Sequence, residues 1–239
     1  MISKNQQKLI RGLELKKFRR REQLFVAEGP KVVGDLVKAG YTPQALFSTT
    51  EQPGAQLVTE DELRRISFLQ HPQQVLALFP LPEPELEQPQ PGSLYLALDG
   101  VQDPGNLGTI IRLADWFGIG TIYCSEDTAD AWAPKVVQAT MGSIARVKVI
   151  YTNLGELLDN TTLPIYGTLL DGNDIYQEKL TAEGIIVMGN EGNGISADIR
   201  QKVNRRLLIP SFHRGDTAES LNVAIATAIT CSEFRRRND

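Results

Sequence analysis

Three short stretches of the chain carry residue types at spacings suited to chemistry. The first is Asp103-Pro104-Gly105-Asn106-Leu107-Gly108. It follows the apolar run Leu94–Leu98 and leads into Thr109–Phe117, where Leu107, Ile110, Ile111, Ala114 and Phe117 recur at helical spacing. Strand, loop and helix therefore follow in order, and the free N–H groups of a first helical turn can hold an anion. Asn106 stands near that start and can cap it. Arg112 lies near the second turn, off the most apolar stripe, where its rigid fork of donors can reach back to the loop. The plainer alternative is a helix cap and a surface arginine.

The second stretch is Gly189-Asn190-Glu191-Gly192-Asn193-Gly194, directly after the apolar run Gly184–Met188. Its glycines permit positive φ and close backbone approach, and its N–H groups can grip a carboxylate, a phosphate or an adenine edge. It matches neither the dinucleotide fingerprint nor a P-loop, and a tight glycine turn is the simpler reading. The third stretch, Pro210–Asn222, gathers Ser211, His213, Arg214, Asp216, Thr217, Glu219, Ser220 and Asn222. A serine, a histidine and an acid invite a hydrolase reading, but Gly-x-Ser-x-Gly is absent and one loop rarely holds a whole triad. Ser220 can equally cap the last helix, and His213 can equally be a surface loop residue.

These loops need a scaffold. Strands are expected at Leu94–Leu98, Thr121–Cys124, Val147–Ile150, Ile165–Leu170, Gly184–Met188 and Arg206–Pro210. Helices are expected at 109–117, 134–141, 154–159, 195–203 and 221–236. Short buried strands alternating with helices predict a parallel sheet covered on both faces, with all three loops at the carboxyl ends of strands. Upstream, strands at 25–29, 45–47, 56–58 and 75–79 alternate with helices at 30–39 and 60–66, predicting a small α/β domain. Pro80, Pro82, Pro84, Pro89 and Pro91, mixed with Glu83, Glu85 and Glu87, read as a stiff solvated linker. The expected division is thus a basic N-terminal helix or arm over 1–21, a small domain over 22–79, a linker over 80–92 and a larger domain over 93–239.

The totals narrow the function classes. The chain has 239 residues, 41% hydrophobic and 23% charged, with no apolar run near the roughly 20 residues of a membrane span. Two distant cysteines, Cys124 and Cys231, speak against a disulfide scaffold and fit a cytoplasmic protein. Two histidines rule out a histidine-rich metal site, and no metal is expected. The net charge of −4 is uneven: residues 1–21 hold eight Lys and Arg against Glu14 alone, a local +7 that leaves −11 elsewhere. Lys16, Lys17, Arg19, Arg20 and Arg21 form its densest part and suit a polyanion such as RNA. A solvated basic helix is the alternative.

Taken together, the three loops resemble the three motifs of the SpoU (TrmH) family of RNA ribose 2′-O-methyltransferases. Asp103–Gly108, continued to Arg112 and Ala114, resembles the first. Ile186–Ile195 resembles the second. Ile209-Pro210 followed by Ser220–Ala226 resembles the third. Residues 22–79, with Phe25-Val26-Ala27-Glu28-Gly29, resemble the ribosomal-protein-L30e-like substrate-binding domain that often precedes the enzyme. The resemblance implies an S-adenosylmethionine-dependent homodimer whose C-terminal half is tied in a deep trefoil knot, a feature no periodicity reveals. It places the donor against Thr168, Leu169, Gly189, Asn190, Gly192, Ile209 and Leu221. It matches Arg112, Asn106, Glu191, Ser220 and Asn222 to the polar catalytic positions, with Arg112 activating the ribose hydroxyl. A free guanidinium is a poor base, so Arg112 either takes the proton after desolvation or binds phosphate and stabilises the forming alkoxide. The expected substrate is structured RNA, ribosomal rather than transfer RNA. The competing readings are a nucleic-acid-binding α/β protein with a non-catalytic donor site and a nucleotide-binding oxidoreductase. One departure from the family pattern is the long stretch Ser211–Glu219, in which Arg214 is a further candidate phosphate contact.

Overall fold

A computed structural model describes residues 1–83, 86–213, 215 and 218–238. In chain order the first elements are α1 (Lys4–Gly12), α2 (Lys16–Glu22), β1 (Leu24–Glu28), α3 (Pro30–Lys38), β2 (Ala45–Ser48), β3 (Gln56–Leu57), α4 (Glu60–Ile66) and β4 (Val75–Pro80). They are followed by β5 (Leu94–Asp99), α5 (Pro104–Trp116), β6 (Thr121–Cys124), α6 (Pro134–Ala139), β7 (Lys148–Tyr151), α7 (Leu154–Asp159), β8 (Ile165–Asp174), β9 (Gly184–Gly189), α8 (Ala197–Lys202), β10 (Arg205–Leu208) and α9 (Val223–Asn238). Two compact units result: Met1–Glu83 with Asp130–Arg146, and Pro84–Ala129 with Val147–Asp239.

The first unit is built on a four-stranded sheet in the order β1-β4-β2-β3. β4 runs antiparallel to both β1 and β2, and β3 joins β2 in parallel. Reciprocal capping boxes, Ser3 with Gln6 and Thr59 with Glu62, start α1 and α4. Ile10 and Leu13 are fully buried and join Leu24, Val26, Phe47, Leu63, Ile66, Leu76 and Leu78 in one core. Residues 1–21 are therefore two short helices folded into the unit rather than a separate arm, because their apolar residues have a core to enter. The structure also moves residues 130–146 out of the larger domain and into this unit. There Val136 and Val137 are buried, Trp132 packs on Phe25 at 4.6 Å, and Arg146 meets Asp35 at 3.6 Å.

The second unit holds a six-stranded sheet in the order β10-β8-β9-β5-β6-β7, with every neighbouring pair parallel. One face carries Tyr95, Ala97, Ile185 and Val187, packed with Leu154, Leu157 and Leu158 of α7 and Ile199 of α8. Alternate residues of a strand face the other way. On that side α5 and α9 pack against each other, α5 also touches β6, and α9 also touches β9. Tyr166 and Phe234 meet edge to face at 4.8 Å. Residues 86–92 are not a free spacer: the Tyr123 hydroxyl donates to the Glu87 carbonyl at 2.8 Å, and Gln90 N donates to the Tyr95 hydroxyl at 2.9 Å. Cys124 and Cys231 are free and buried. Among the described residues no helix is long and apolar enough to cross a membrane.

Candidate active site

Since β5, β9 and β10 are parallel and β5 lies beside β9, the loops that follow them open at one end of the sheet, as expected. Asp99, the last residue of β5, accepts from Ser196 N at 2.7 Å and ties the end of the second loop to the first strand. Gly100 takes a positive φ of 73° and its carbonyl accepts from Asn190 Nδ2 at 2.7 Å. The chain then turns into α5, but Asn106 is not its cap. Asp103 is, accepting from Asn106 N at 2.8 Å ahead of Pro104 at the first helical position. An aspartate followed by proline before a helical run is the signal that identifies this start.

With its backbone committed to the helix, the Asn106 side chain is free to join the other two loops. Its Nδ2 donates to Glu191 Oε1 at 3.0 Å, and its Oδ1 accepts from Asn222 Nδ2 at 2.9 Å. Glu191 also accepts from Gln102 N at 3.2 Å and Asp103 N at 3.1 Å. Asn222 Oδ1 accepts from Ala224 N at 2.9 Å and Ile225 N at 3.3 Å and so caps α9. Asn106, Glu191 and Asn222 thus form one network linking all three motifs. Partial burial works to raise the Glu191 pKa, but the hydrogen bonds from Asn106 and from backbone N–H groups outweigh it and hold the carboxyl below its ordinary value. Glu191 stays ionised and acts as an acceptor.

The second loop owes its path to Gly189. A Cβ there would stand 2.2 Å from the Gly194 carbonyl carbon and 2.3 Å from Ile195 N. Asn190 and Gly194 exchange both backbone hydrogen bonds at 2.9 Å, and Asn190 Oδ1 accepts from Gly192 N at 2.9 Å and Asn193 N at 3.0 Å. The N–H groups of 192, 193 and 194 are therefore satisfied inside the loop. With those groups engaged, the loop presents a fixed wall in which Gly189, Gly192 and Gly194 alternate with Asn190, Glu191 and Asn193.

Behind that wall is a cavity of about 520 Å³ at the ends of β8, β9 and β10. Thr168, Leu169, Gly189, Asn190, Glu191, Gly192, Ile209, Ser220 and Leu221, all singled out from the sequence, line it, as do Met188, Leu207 and Pro210. Thr168 Oγ1 donates to the Val187 carbonyl at 3.5 Å and to Met188 Sδ at 3.6 Å. A mainly apolar cavity of this size with a few polar groups at its mouth suits a nucleoside-like ligand. Its glycine-formed wall leaves room for a flat ring.

Arg112 stands apart. It is exposed on α5, does not line this cavity, and makes no hydrogen bond or ion pair among the described residues. Arg214 lies outside the described residues. In the first unit, Lys17, Arg20 and Arg21 are exposed on α2 and Lys16 is half-buried at its start, with Arg21 stacked over Phe18 at 4.5 Å. Arg19 is corrected: it is only 3% exposed, donates to the Leu13 and Glu14 carbonyls, and pairs with Asp130 at 2.5 Å. It is a core residue and not part of an RNA surface. A run of basic residues gives no hint of which one turns inward, and Asp130 is more than a hundred positions away.

Comparison with known proteins agrees with this geometry. Residues 93–232 match the model of the SpoU rRNA methylase family, and residues 4–77 match that of an MRM3-like substrate-binding domain. The chain is 32% identical to the 23S rRNA (guanosine(2553)-2′-O)-methyltransferase RlmP of Bacillus subtilis, with 93% of each chain covered. It superposes on a TrmH-family protein from Porphyromonas gingivalis with a TM-score of 0.88, at 42% identity over the whole of both chains. It also superposes on the AdoMet-bound rRNA methyltransferase of Sinorhizobium meliloti with a TM-score of 0.88, at 32% identity over 99% of this chain and 97% of the other. The family model spans all three loops and well over half of the chain, and the chain belongs to the SpoU rRNA methylase family.

Proposed function

We propose that this protein methylates the 2′-hydroxyl of a ribose in structured RNA, using S-adenosylmethionine as donor. The observation that carries the reading is the Asn106–Glu191–Asn222 network at the mouth of a nucleoside-sized cavity. When bound, S-adenosylmethionine supplies a methyl group made electrophilic by its positive sulfur. Thr168, Leu169, Gly189, Ile209 and Leu221 enclose the donor, and the Gly189–Gly194 loop limits how deep it sits. Glu191 fixes the Gln102–Asn106 backbone and Asn106 fixes Asn222, so the three loops keep one spacing while substrate enters. Ser220, at the cavity wall, offers a hydroxyl toward the reacting ribose. Arg112, with its guanidinium unengaged, binds an RNA phosphate and stabilises negative charge on the 2′-oxygen as its proton passes to solvent; the oxygen would take the methyl group in line as the carbon–sulfur bond breaks, leaving S-adenosylhomocysteine.

The active form is a homodimer. Trp116 is 81% exposed and Ile225 53%, on the paired helices α5 and α9. Arg112 lies four residues before Trp116 and so shares its helix face. A second copy covering Trp116 excludes water from Arg112. The C-terminal path supports a deep trefoil knot: β9 lies between β8 and β5, β10 lies outside β8, and α9 returns to α5. The exposed Lys17, Arg20 and Arg21 of α2 hold the RNA backbone, with Lys16 and Arg214 as further contacts. Ribosomal RNA is the preferred substrate, in line with the rRNA enzymes among its relatives.

The test is transfer of labelled methyl from S-adenosylmethionine to separated, undermethylated ribosomal and transfer RNA, with hydrolysis mapping of 2′-O-methyl sites. Label is expected in the ribosomal pool and is lost in Arg112→Ala, while donor binding persists. Donor binding with no transfer to either pool would overturn the reading.

A further inference from the structure

The first unit contains a second concave site. The end of α1, the turn after α4 and the start of α6 enclose a groove of about 460 Å³, lined by Arg11, Glu14, Phe68, Lys135 and Gln138 among others. We propose that this groove is a nucleotide-binding subsite for the substrate RNA, in which one unstacked base lies on an Arg11–Phe68 platform and the adjoining phosphate pairs with Lys135. The inference rests on the RNA-methyltransferase reading and deepens it.

Four observations support it. The Arg11 guanidinium lies over the Phe68 ring at 4.8 Å while its Nη1 donates to the Ser67 carbonyl at 2.7 Å. It is therefore a planar cation fixed in place, with further N–H donors to spare, and RNA bases stack on such guanidinium planes and on aromatic rings. Next, the turn presenting Phe68 is locked from below. Buried Glu28 accepts from the Ser67 hydroxyl and from Phe68 N at 2.8 Å, and Leu69 N donates to the Ser67 hydroxyl at 3.0 Å. On the opposite wall Lys135 is exposed, and neither its side chain nor that of Gln138 has a hydrogen-bond or ion-pair partner among the described residues. An ammonium and an amide face the platform uncommitted, which suits a phosphate and a base edge, while Glu14 can accept from base N–H groups. Finally, the same unit carries the +7 of residues 1–21, so the surroundings draw in a polyanion.

The site also gives residues 130–146 a use. This segment leaves the catalytic unit to pack in the first, and it supplies one wall of the groove.

The experiment uses the full chain and an unmodified transcript of large-subunit ribosomal RNA. Filter binding is measured for wild type, Lys135→Glu, Lys135→Gln and Gln138→Ala across a range of salt. Unfolding and S-adenosylmethionine affinity are measured on the same samples. Lys135→Glu is expected to weaken RNA binding about tenfold, and Lys135→Gln to reduce the slope of log K against log salt by about 1, the share of one phosphate. Thermal stability and donor affinity should stay at wild-type values. A 4-thiouridine-substituted transcript should crosslink to the peptide containing Phe68. RNA affinity and salt slope unchanged in all three variants, with no such crosslink, would overturn the subsite and leave the methyltransferase reading standing. A wild-type protein that neither binds nor methylates the transcript would overturn both.

Discussion

Two buried charges of the first unit and the polar groups of the motif loops in the second are set in opposite surroundings. In the first, two charges hold the fold from inside: Arg19 is buried against Asp130, and Glu28 is buried beneath the Ser67–Leu69 turn, while Lys17, Arg20 and Arg21 stay exposed. The second leaves its key polar groups open, with Glu191, Asn222 and Arg112 all exposed and Asn106 half-buried. A buried charge must keep its partner, so it fixes shape. An exposed and unengaged one can exchange water for substrate. Substitutions at the hidden charges should therefore act first on stability, and substitution of the unengaged Arg112 on chemistry.

The sharpest break of that contrast is Asp130→Ala. It strands the Arg19 guanidinium, whose Nε already has no hydrogen-bond partner. Removing one member of a buried pair typically costs about 3–5 kcal/mol, so a large fall in denaturation midpoint is expected, read by urea unfolding. The double variant Arg19→Met with Asp130→Leu should recover most of it, since an apolar pair removes the stranded charge. Failure to recover would mean that the stability rests on the Arg19 bonds to the Leu13 and Glu14 carbonyls or on the Trp132 N bond that Asp130 accepts at 3.0 Å, rather than on the ion pair.

Arg112→Ala is the mirror image. The side chain makes no hydrogen bond or ion pair among the described residues, so stability should not move. Methyl transfer should fall by about 10²–10³, the usual cost of removing one transition-state donor. Single-turnover rates with calorimetric donor binding separate the two effects. Gly189→Ala comes next. Its methyl group must displace the Gly194 backbone, a strain of about 1–3 kcal/mol. Donor affinity should fall roughly tenfold to a hundredfold, and an unchanged dissociation constant would show that the loop wall does not shape the donor pocket.

Much of this was legible in the chain. Strand and helix periodicity gave every element of the catalytic sheet, because parallel strands buried on both faces leave continuous apolar runs such as Gly184–Met188. The resemblance to the three family motifs named Asn106, Glu191 and Asn222, whereas residue type and spacing alone left each of them open to a cap or turn role. Three things were hidden. The transfer of residues 130–146 to the first unit depends on contacts of Trp132, Val136 and Val137, whose apolar character says nothing about which core they enter. The inward turn of Arg19 depends on Asp130, a pairing no local pattern encodes. The closure of the 190–194 loop on its own N–H groups depends on the rotamer of Asn190, which composition does not fix.

The smallest expected effect contrasts Glu28 with Glu191, two carboxylates that each hold a loop by accepting backbone N–H groups. Burial dominates at Glu28 and raises its pKa from the ordinary value near 4.5, although hydrogen bonds from Ser67 and Phe68 and the charge of Arg11 oppose the rise. Burial also pushes Glu191 upward, but there the hydrogen bonds prevail and lower it. The pH dependences must then have opposite signs. The contribution of Glu28 is fully present below the unfolded-state pKa and is lost as pH rises through its elevated folded value. The contribution of Glu191 is present above the unfolded-state pKa and is lost as pH falls through its depressed folded value. Subtracting the stability curve of Glu28→Gln from that of wild type should leave a difference that declines upward from about pH 4.5. The same subtraction with Glu191→Gln should leave one that declines downward below it. Two difference curves of the same sign would mean that the Ser67–Leu69 turn and the Gln102–Asn106 loop are anchored alike, and the division between a shape-holding unit and a reactive one would not extend to their carboxylates.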